Sequence, residues 1–186
     1  MPYISIIEPE EAEGRLKEIY EELREKRGKL AHVHKIQSLN PESIVTHMEF
    51  YLSVMFGRSP LSRAQREMLG VVVSSSNNCP YCVQHHSEAL NHYWKDERRV
   101  QALARDFESL DLEPADRQLC RLARKLTLRP DGIKKDPDIS SLTDLGLSER
   151  AVLDAVLVTG YFNFVNRLVL GLGVEPGEEE VGGYKY

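Results

Sequence analysis

Residues 79–86 read Cys-Pro-Tyr-Cys-Val-Gln-His-His and hold two of the chain's three cysteines and two of its six histidines. Cysteines three apart on the first turn of a helix can approach closely enough to bridge. With Pro80 at the first helical position, Cys79 falls at the N-cap. Unpaired N–H groups and the positive end of the helix favour a thiolate there. His86 stands four residues beyond Cys82, on the same face. Cys79, Cys82 and His86 thus form a stripe in which a histidine can take a thiol proton or stabilise the thiolate. A redox dithiol, half of a metal site and a helix start that merely contains sulfur all use these residue types. Zinc held by Cys79, Cys82, His86 and His92 would draw four ligands from one short helix, whereas tetrahedral zinc usually takes them from separate elements. That geometry disfavours the metal reading.

Glu67 is the second anomaly. At 100° per residue it lies among Ala64, Met68 and Val71, the apolar face of its own helix. A carboxylate buried there without a partner would be costly. It is either one half of a salt bridge at the edge of the core or a base aimed at the next helix.

Helices must position these groups, and helical periodicity dominates the chain. Leu16, Ile19, Tyr20 and Leu23 repeat at i, i+3, i+4, i+7 and predict a helix over residues 9 to about 27, ended by Gly28. Asn40 as N-cap and Pro41 at the first position open a second, to about residue 56. Ser62-Arg63-Ala64-Gln65 has the form of a capping box and starts a third. Val71-Val72-Val73 alone suits a strand, but the helix formers before it predict helix. A fourth helix runs from Pro80 to about residue 93. Further helices are expected at 97–107, 114–127 and 148–171, the last apolar on most sides and so buried in a core or an interface. The Pro-, Gly- and Asp-rich residues 128–147 read as loop. Residues 175–186 read as a mobile or interface-bound tail.

The 186 residues suffice for a single domain with its own core, with residues 1–30 as a helical extension. Apolar residues make up 41% and charged residues 28%, the balance of a soluble globular protein. A net charge of −5 argues against general nucleic-acid binding. No apolar run suggests a membrane span, and the first residues lack a signal peptide's pattern, so the expected location is the cytoplasm. An odd cysteine count fits poorly with a secreted disulfide framework. Cys120 reads as a lone packing cysteine. Asn163, Asn166 and Arg167 read as structural, and His85 and His92 as surface residues.

Glu67, eleven intervening residues, Cys79-x-x-Cys82, three residues and His86 together resemble the active-site motif of the alkyl hydroperoxidase D family, within the carboxymuconolactone decarboxylase-like superfamily. The stretches LSRAQREMLGVVVSSSNNCPYCVQHH and LSERAVLDAVLVTGYFNFVNRLVLGLGV resemble its peroxidase-related branch, and the resemblance spans roughly residues 30–175. It implies an all-α fold of about seven to nine helices, assembly into trimers or hexamers, and a dithiol peroxidase that needs no metal or bound cofactor. Cys82 would attack a small peroxide, Cys79 would close the disulfide, Glu67 and His86 would relay the proton, and an external dithiol would reset the pair. The family's histidine just before the second cysteine is Tyr81 here. A phenol is a poor base near neutral pH, so the family's relay would be either broken or rerouted, through His85 or water. Tyr81 and His85 are the candidate substrate-pocket residues. A carboxymuconolactone decarboxylase without redox chemistry and a redox-sensing oligomer are the alternatives.

Overall fold

The computed structural model describes residues 1–177. Among them the chain forms nine α-helices and no strand. They are α1 (Gly14–Arg27), α2 (His32–Lys35), α3 (Pro41–Tyr51), α4 (Arg63–Ser76), α5 (Pro80–Trp94), α6 (Glu97–Asp106), α7 (Pro114–Leu128), α8 (Ser140–Asp144) and α9 (Glu149–Gly171). The expected all-α fold is present. The expected tail lies, from residue 178 on, outside the described residues.

Helix α4 is the axis of the fold and packs on α5, α6, α7 and α9. Its start is a reciprocal capping box: Gln65 N–H donates to Ser62 Oγ at 3.1 Å, and Ser62 N–H donates to Gln65 Oε1 at 2.9 Å. Residues 66–74 are all buried, so the Val71-Val72-Val73 run is helical because tertiary packing on every side outweighs its local β preference. Gly70 lets α9 and α5 approach this helix. A Cβ there would stand 2.8 Å from the Phe162 ring and 3.3 Å from His86 Cγ.

Two boundaries differ from expectation. Helix α1 begins at Gly14, and residues 8–12 form a turn, with Glu11 N–H donating to the Glu8 carbonyl. Gly14 sits at φ +50, a conformation that breaks the periodic run preceding it. Helix α3 ends at Tyr51 and widens into a π-helical turn, Leu52–Phe56. The carbonyls freed by that turn accept from α4, Met55 from Arg63 and Val54 from Arg66. Asn40 makes no side-chain cap, and Pro41 alone marks the start of α3. Helix α2, the short α8 and the turns around Pro130–Gly132 occupy stretches read as link or loop.

The main core joins α4, α5, α6, α7 and α9. A smaller cluster sets Leu16, Ile19, Tyr20 and Leu23 of α1 against Ile44 and Met48 of α3. That cluster fixes the end of α1 over the π turn: Arg27 lies 5.2 Å from the Tyr51 ring centre and 5.3 Å from that of Phe56. Helix α9 corrects the expectation that nothing in the chain matches a membrane span. Its 23 residues are long and apolar enough to cross a bilayer, yet 56% of its most apolar window is buried in the fold. Its Asp154 is buried against Ser59 and Arg150. It is a core helix of this bundle.

Candidate active site

Helices α4 and α5 carry the reactive groups. Pro80 starts α5 with Cys79 at its N-cap, as the spacing predicts. The Cys79 and Cys82 sulfurs lie 3.1 Å apart and share a hydrogen bond as free thiols, both buried. One turn on, His86 Nδ1 lies 2.8 Å from Glu67 Oε2. The other Glu67 oxygen accepts from Arg63 Nη2 at 2.6 Å. Glu67 is thus half of a largely buried ion pair with Arg63, and its other oxygen is aimed at α5. Accepting from His86 Nδ1–H leaves His86 Nε2 as the ring's acceptor.

Acidity and access are divided between the two sulfurs. The Cys79 thiol is held below its usual range by the hydrogen bond from the Cys82 thiol, against the opposing effect of burial, with help from the Cys82 backbone N–H. The Cys82 thiol is pushed far up by that same hydrogen bond, then by burial and by charge on Cys79. Negative charge thus settles first at the helix start, where unpaired N–H groups favour it. Cys82, not Cys79, lines the cavity. Asn166 stands close enough to the Cys82 sulfur to favour its charged form.

That role of Asn166 was missed by the sequence reading. The asparagines do act structurally as well. Asn77 Nδ2 donates to Asn163 and Asn166 at 3.0 and 2.9 Å, and Asn166 Nδ2 donates to Ser74 Oγ at 3.2 Å. The network ties the end of α4 to α9 directly behind the dithiol. Cys120 is fully buried in the main core, its thiol raised by burial, so it is inert packing.

The cavity beside these groups has a volume of about 90 Å³ and is partly open to solvent. Tyr81, Cys82, His85 and His86 of α5 line one part. His85 is half-buried there and stacks on Tyr81 at 4.3 Å, while His92 is exposed. Both candidate pocket residues therefore stand on the wall. Tyr81 also accepts from the Val33 backbone N–H at 3.2 Å, which anchors α2. The remaining wall escaped the sequence reading: Arg27, His34, His47, Tyr51 and Tyr161. His47 is buried, its pKa lowered to about 4 by burial. Its position was readable in principle, because Ile44, His47 and Met48 share the buried i, i+3, i+4 face of α3. Among the described residues, no three His, Cys, Asp or Glu side chains converge as metal ligands would.

An all-helical bundle with a buried dithiol, a carboxylate-backed histidine and a partly open cavity defines a class of small thiol-bearing helical proteins. Comparison with known proteins agrees. Residues 43–125 match the carboxymuconolactone decarboxylase family. The crystal structure of an uncharacterised peroxidase-related protein from Silicibacter sp. TM1040 is 31% identical, with a TM-score of 0.82, over 89% of this chain and 86% of that one. A second peroxidase-related protein, the alkylhydroperoxidase AhpD core of Ralstonia eutropha JMP134, is 22% identical with a TM-score of 0.86, over 97% and 94%. The debrominase Bmp8, seen as a cysteine-to-alanine variant with 2,3,4-tribromopyrrole, is 16% identical with a TM-score of 0.77, over 96% and 95%. The last two similarities show the fold. The chain belongs to the carboxymuconolactone decarboxylase family.

Proposed function

We propose that this protein is a dithiol peroxidase that reduces organic hydroperoxides. The observation that carries the reading is the Cys79–Cys82 contact, with Cys82 on the cavity and the Glu67–His86 pair one turn away. His86 Nε2 takes one proton from the thiol pair, the remaining proton rests on Cys79 as the charge moves to Cys82 at the cavity, and Glu67 supports the imidazolium that forms. The Cys82 thiolate attacks the outer peroxide oxygen and the O–O bond breaks. The alkoxide takes a proton and leaves as the alcohol, and Cys82 becomes a sulfenic acid. Cys79 then attacks that sulfur, a disulfide forms and water leaves. An external dithiol reduces the disulfide by exchange. No bound metal or cofactor enters this scheme. The exposed apolar residues Leu153, Leu157 and Phe164 of α9 support assembly into a homo-oligomer, trimer or hexamer, which light scattering would size.

The test is thiol titration after one equivalent of cumene hydroperoxide. In the wild type, two thiols should vanish at least about 10²-fold faster than in free cysteine, the usual scale of acid–base assistance. In Cys79→Ser, a sulfenic acid should be trapped on Cys82, and Cys82→Ser should be inert. Thiol loss no faster than in free cysteine would sink the reading. Turnover of a lactone acid that survives in Cys82→Ser would move the chemistry to Glu67 and His86 and a decarboxylase role.

One observation favours a second reading. Tyr51, Tyr81 and Tyr161 give the cavity an aromatic lining, and the fold matches a debrominase whose structure holds a bromopyrrole. The same dithiol could reduce an aryl bromide to the arene, releasing bromide as the disulfide forms. Bromide release from a bromopyrrole, set beside peroxide consumption, separates the two.

A further inference from the structure

The hydrogen-bond donors around this cavity can be assigned atom by atom, and they converge on one kind of ligand. Gln37 Nε2 lies 2.7 Å from the Val33 carbonyl and 2.9 Å from His47 Nδ1. A carbonyl only accepts, so the Gln37 atom facing it is the amide nitrogen. Its two hydrogens are then committed, one to Val33 and one to His47. His47 Nδ1 is therefore an acceptor. The ring is neutral at physiological pH, with its pKa near 4, so its single hydrogen sits on Nε2. That hydrogen is donated to Tyr161 Oη, 2.8 Å away. The Tyr161 hydroxyl thus already receives a hydrogen bond, and its own proton is left to donate. Burial keeps it a phenol.

Tyr51 repeats the pattern. Arg27 Nη2 donates to its oxygen at 3.4 Å, and burial keeps Tyr51 a phenol too. Among the described residues neither phenol proton has an acceptor. Arg27 itself makes no ion pair there, its neighbours being the rings of Tyr51 and Phe56. The buried carboxylate of the site, Glu67, has both oxygens engaged by Arg63 and His86. The cavity therefore presents two oriented hydroxyl donors and a guanidinium without a counter-charge, beside the apolar Met48, Ala89 and Val165.

We infer that the cavity binds the carboxylate of a hydrophobic organic acid. Arg27 and the hydroxyls of Tyr51 and Tyr161 are the anion's donors, and the apolar wall takes its carbon skeleton. A carboxylate has the lone pairs for all three donors, and a guanidinium fork matches it where an uncharged ligand leaves the charge unused. Taken with the peroxidase reading, on which its chemical part rests, this names the substrate class: a hydroperoxide whose organic group carries a carboxylate. The dithiol would reduce it to the hydroxy acid and water as the disulfide forms.

The test separates binding from chemistry. Reduced wild-type protein is titrated calorimetrically with 4-tert-butylbenzoate and with 4-tert-butylbenzamide, neither of which oxidises thiols. The acid should bind at least about 10-fold more tightly than the amide, the scale of a charged hydrogen bond. Arg27→Ala should erase the preference, Arg27→Lys should keep part of it, and Tyr161→Phe should reduce it. Equal binding of acid and amide to the wild type overturns the inference, and this holds even if Arg27→Ala fails to fold. So does a preference that survives in a folded Arg27→Ala. A second arm compares cumene hydroperoxide with its ring-carboxylated analogue, whose KM should be lower by a similar factor in the wild type only. If the inert acid is preferred but neither hydroperoxide consumes thiols, the carboxylate site stands and the peroxidase reading falls. If cumene hydroperoxide is reduced rapidly and no acid is preferred, the peroxidase reading stands and the carboxylate site falls.

Discussion

Four histidines line the cavity, and two of them, His86 and His47, differ in what stands behind the ring. His86 is backed by the Glu67 carboxylate, itself held by Arg63. His47 is backed by the Gln37 carboxamide and faces the Tyr161 phenol. A carboxylate can stabilise an imidazolium, so His86 can take up and return a proton during a reaction. A carboxamide offers no charge, and burial holds the His47 pKa near 4, so that ring orients a donor and stays neutral. In the peroxidase reading proposed above, one histidine serves the thiols, while the other arranges the wall. The difference lies in the partners, not in the histidines.

Removing the carboxylate tests this contrast most severely. In Glu67→Gln, His86 loses the charge behind it and Arg63 keeps a buried charge without its partner. Thiol oxidation should slow about 10²-fold, and urea unfolding should show a loss of about 3 kcal/mol, as when one half of a buried pair is removed. Stability should fall in any case. If the oxidation rate holds while stability falls, Glu67 is structural only and the two histidines do not differ in function.

The neutral histidine makes a pH prediction of smaller size. Its folded pKa lies near 4, below the 6.5 of an unperturbed histidine. Between those values the unfolded chain binds more protons than the folded one, so stability rises with pH. It is fully present above about pH 6.5 and is lost as pH falls toward 4. From pH 7 to pH 5 the loss attributable to His47 is about 2 kcal/mol. Urea unfolding of wild type and His47→Gln at both pH values isolates it, because the other titrating groups are common to the two. Parallel pH dependences in the pair would mean that His47 is not held neutral by burial, and the assignment of Tyr161 as a donor would lose its basis.

The same contrast explains which parts of the site could be read from the chain. Everything on α4 and α5 is encoded locally: a capping box, a proline at a first helical position, and Glu67, Cys79, Cys82 and His86 at fixed spacing. Such signals survive without knowledge of the packing. The other wall is assembled from distant segments. His47 and Tyr161 are 114 residues apart, and their hydrogen bond exists only once α3 meets α9. Arg27 reads as one more charge on a solvated helix face until the cluster of α1 with α3 lays it over the rings of the π turn. The α1 boundary was misplaced because the acidic run before Gly14 has helical composition, while the backbone at Gly14 does not continue a helix. Asn166 reads as structural, which it is, but its effect on the Cys82 sulfur depends on how closely α9 approaches α5.

Tyr81 belongs to the readable wall by position and to the assembled one by its contacts, and it supplies the mildest test. It occupies the place where the resemblance puts a histidine. Its hydroxyl accepts from Val33 N–H, and its ring stacks on His85. Those contacts are architectural: they hold α2 against α5, and the proposed mechanism assigns proton transfer to His86. Tyr81→Phe removes the partly buried hydrogen bond from Val33 N–H and should cost about 1 kcal/mol, with the thiol oxidation rate unchanged. Tyr81→His also shortens the side chain, so it gives up the Val33 contact and part of the stacking and should be the less stable of the two. A tenfold slower oxidation in Tyr81→Phe, at unchanged stability, would instead put the phenol in the proton path. The reactive part of the cavity would then extend one residue toward Cys79, and the division of labour drawn between the two histidines would have to include a tyrosine.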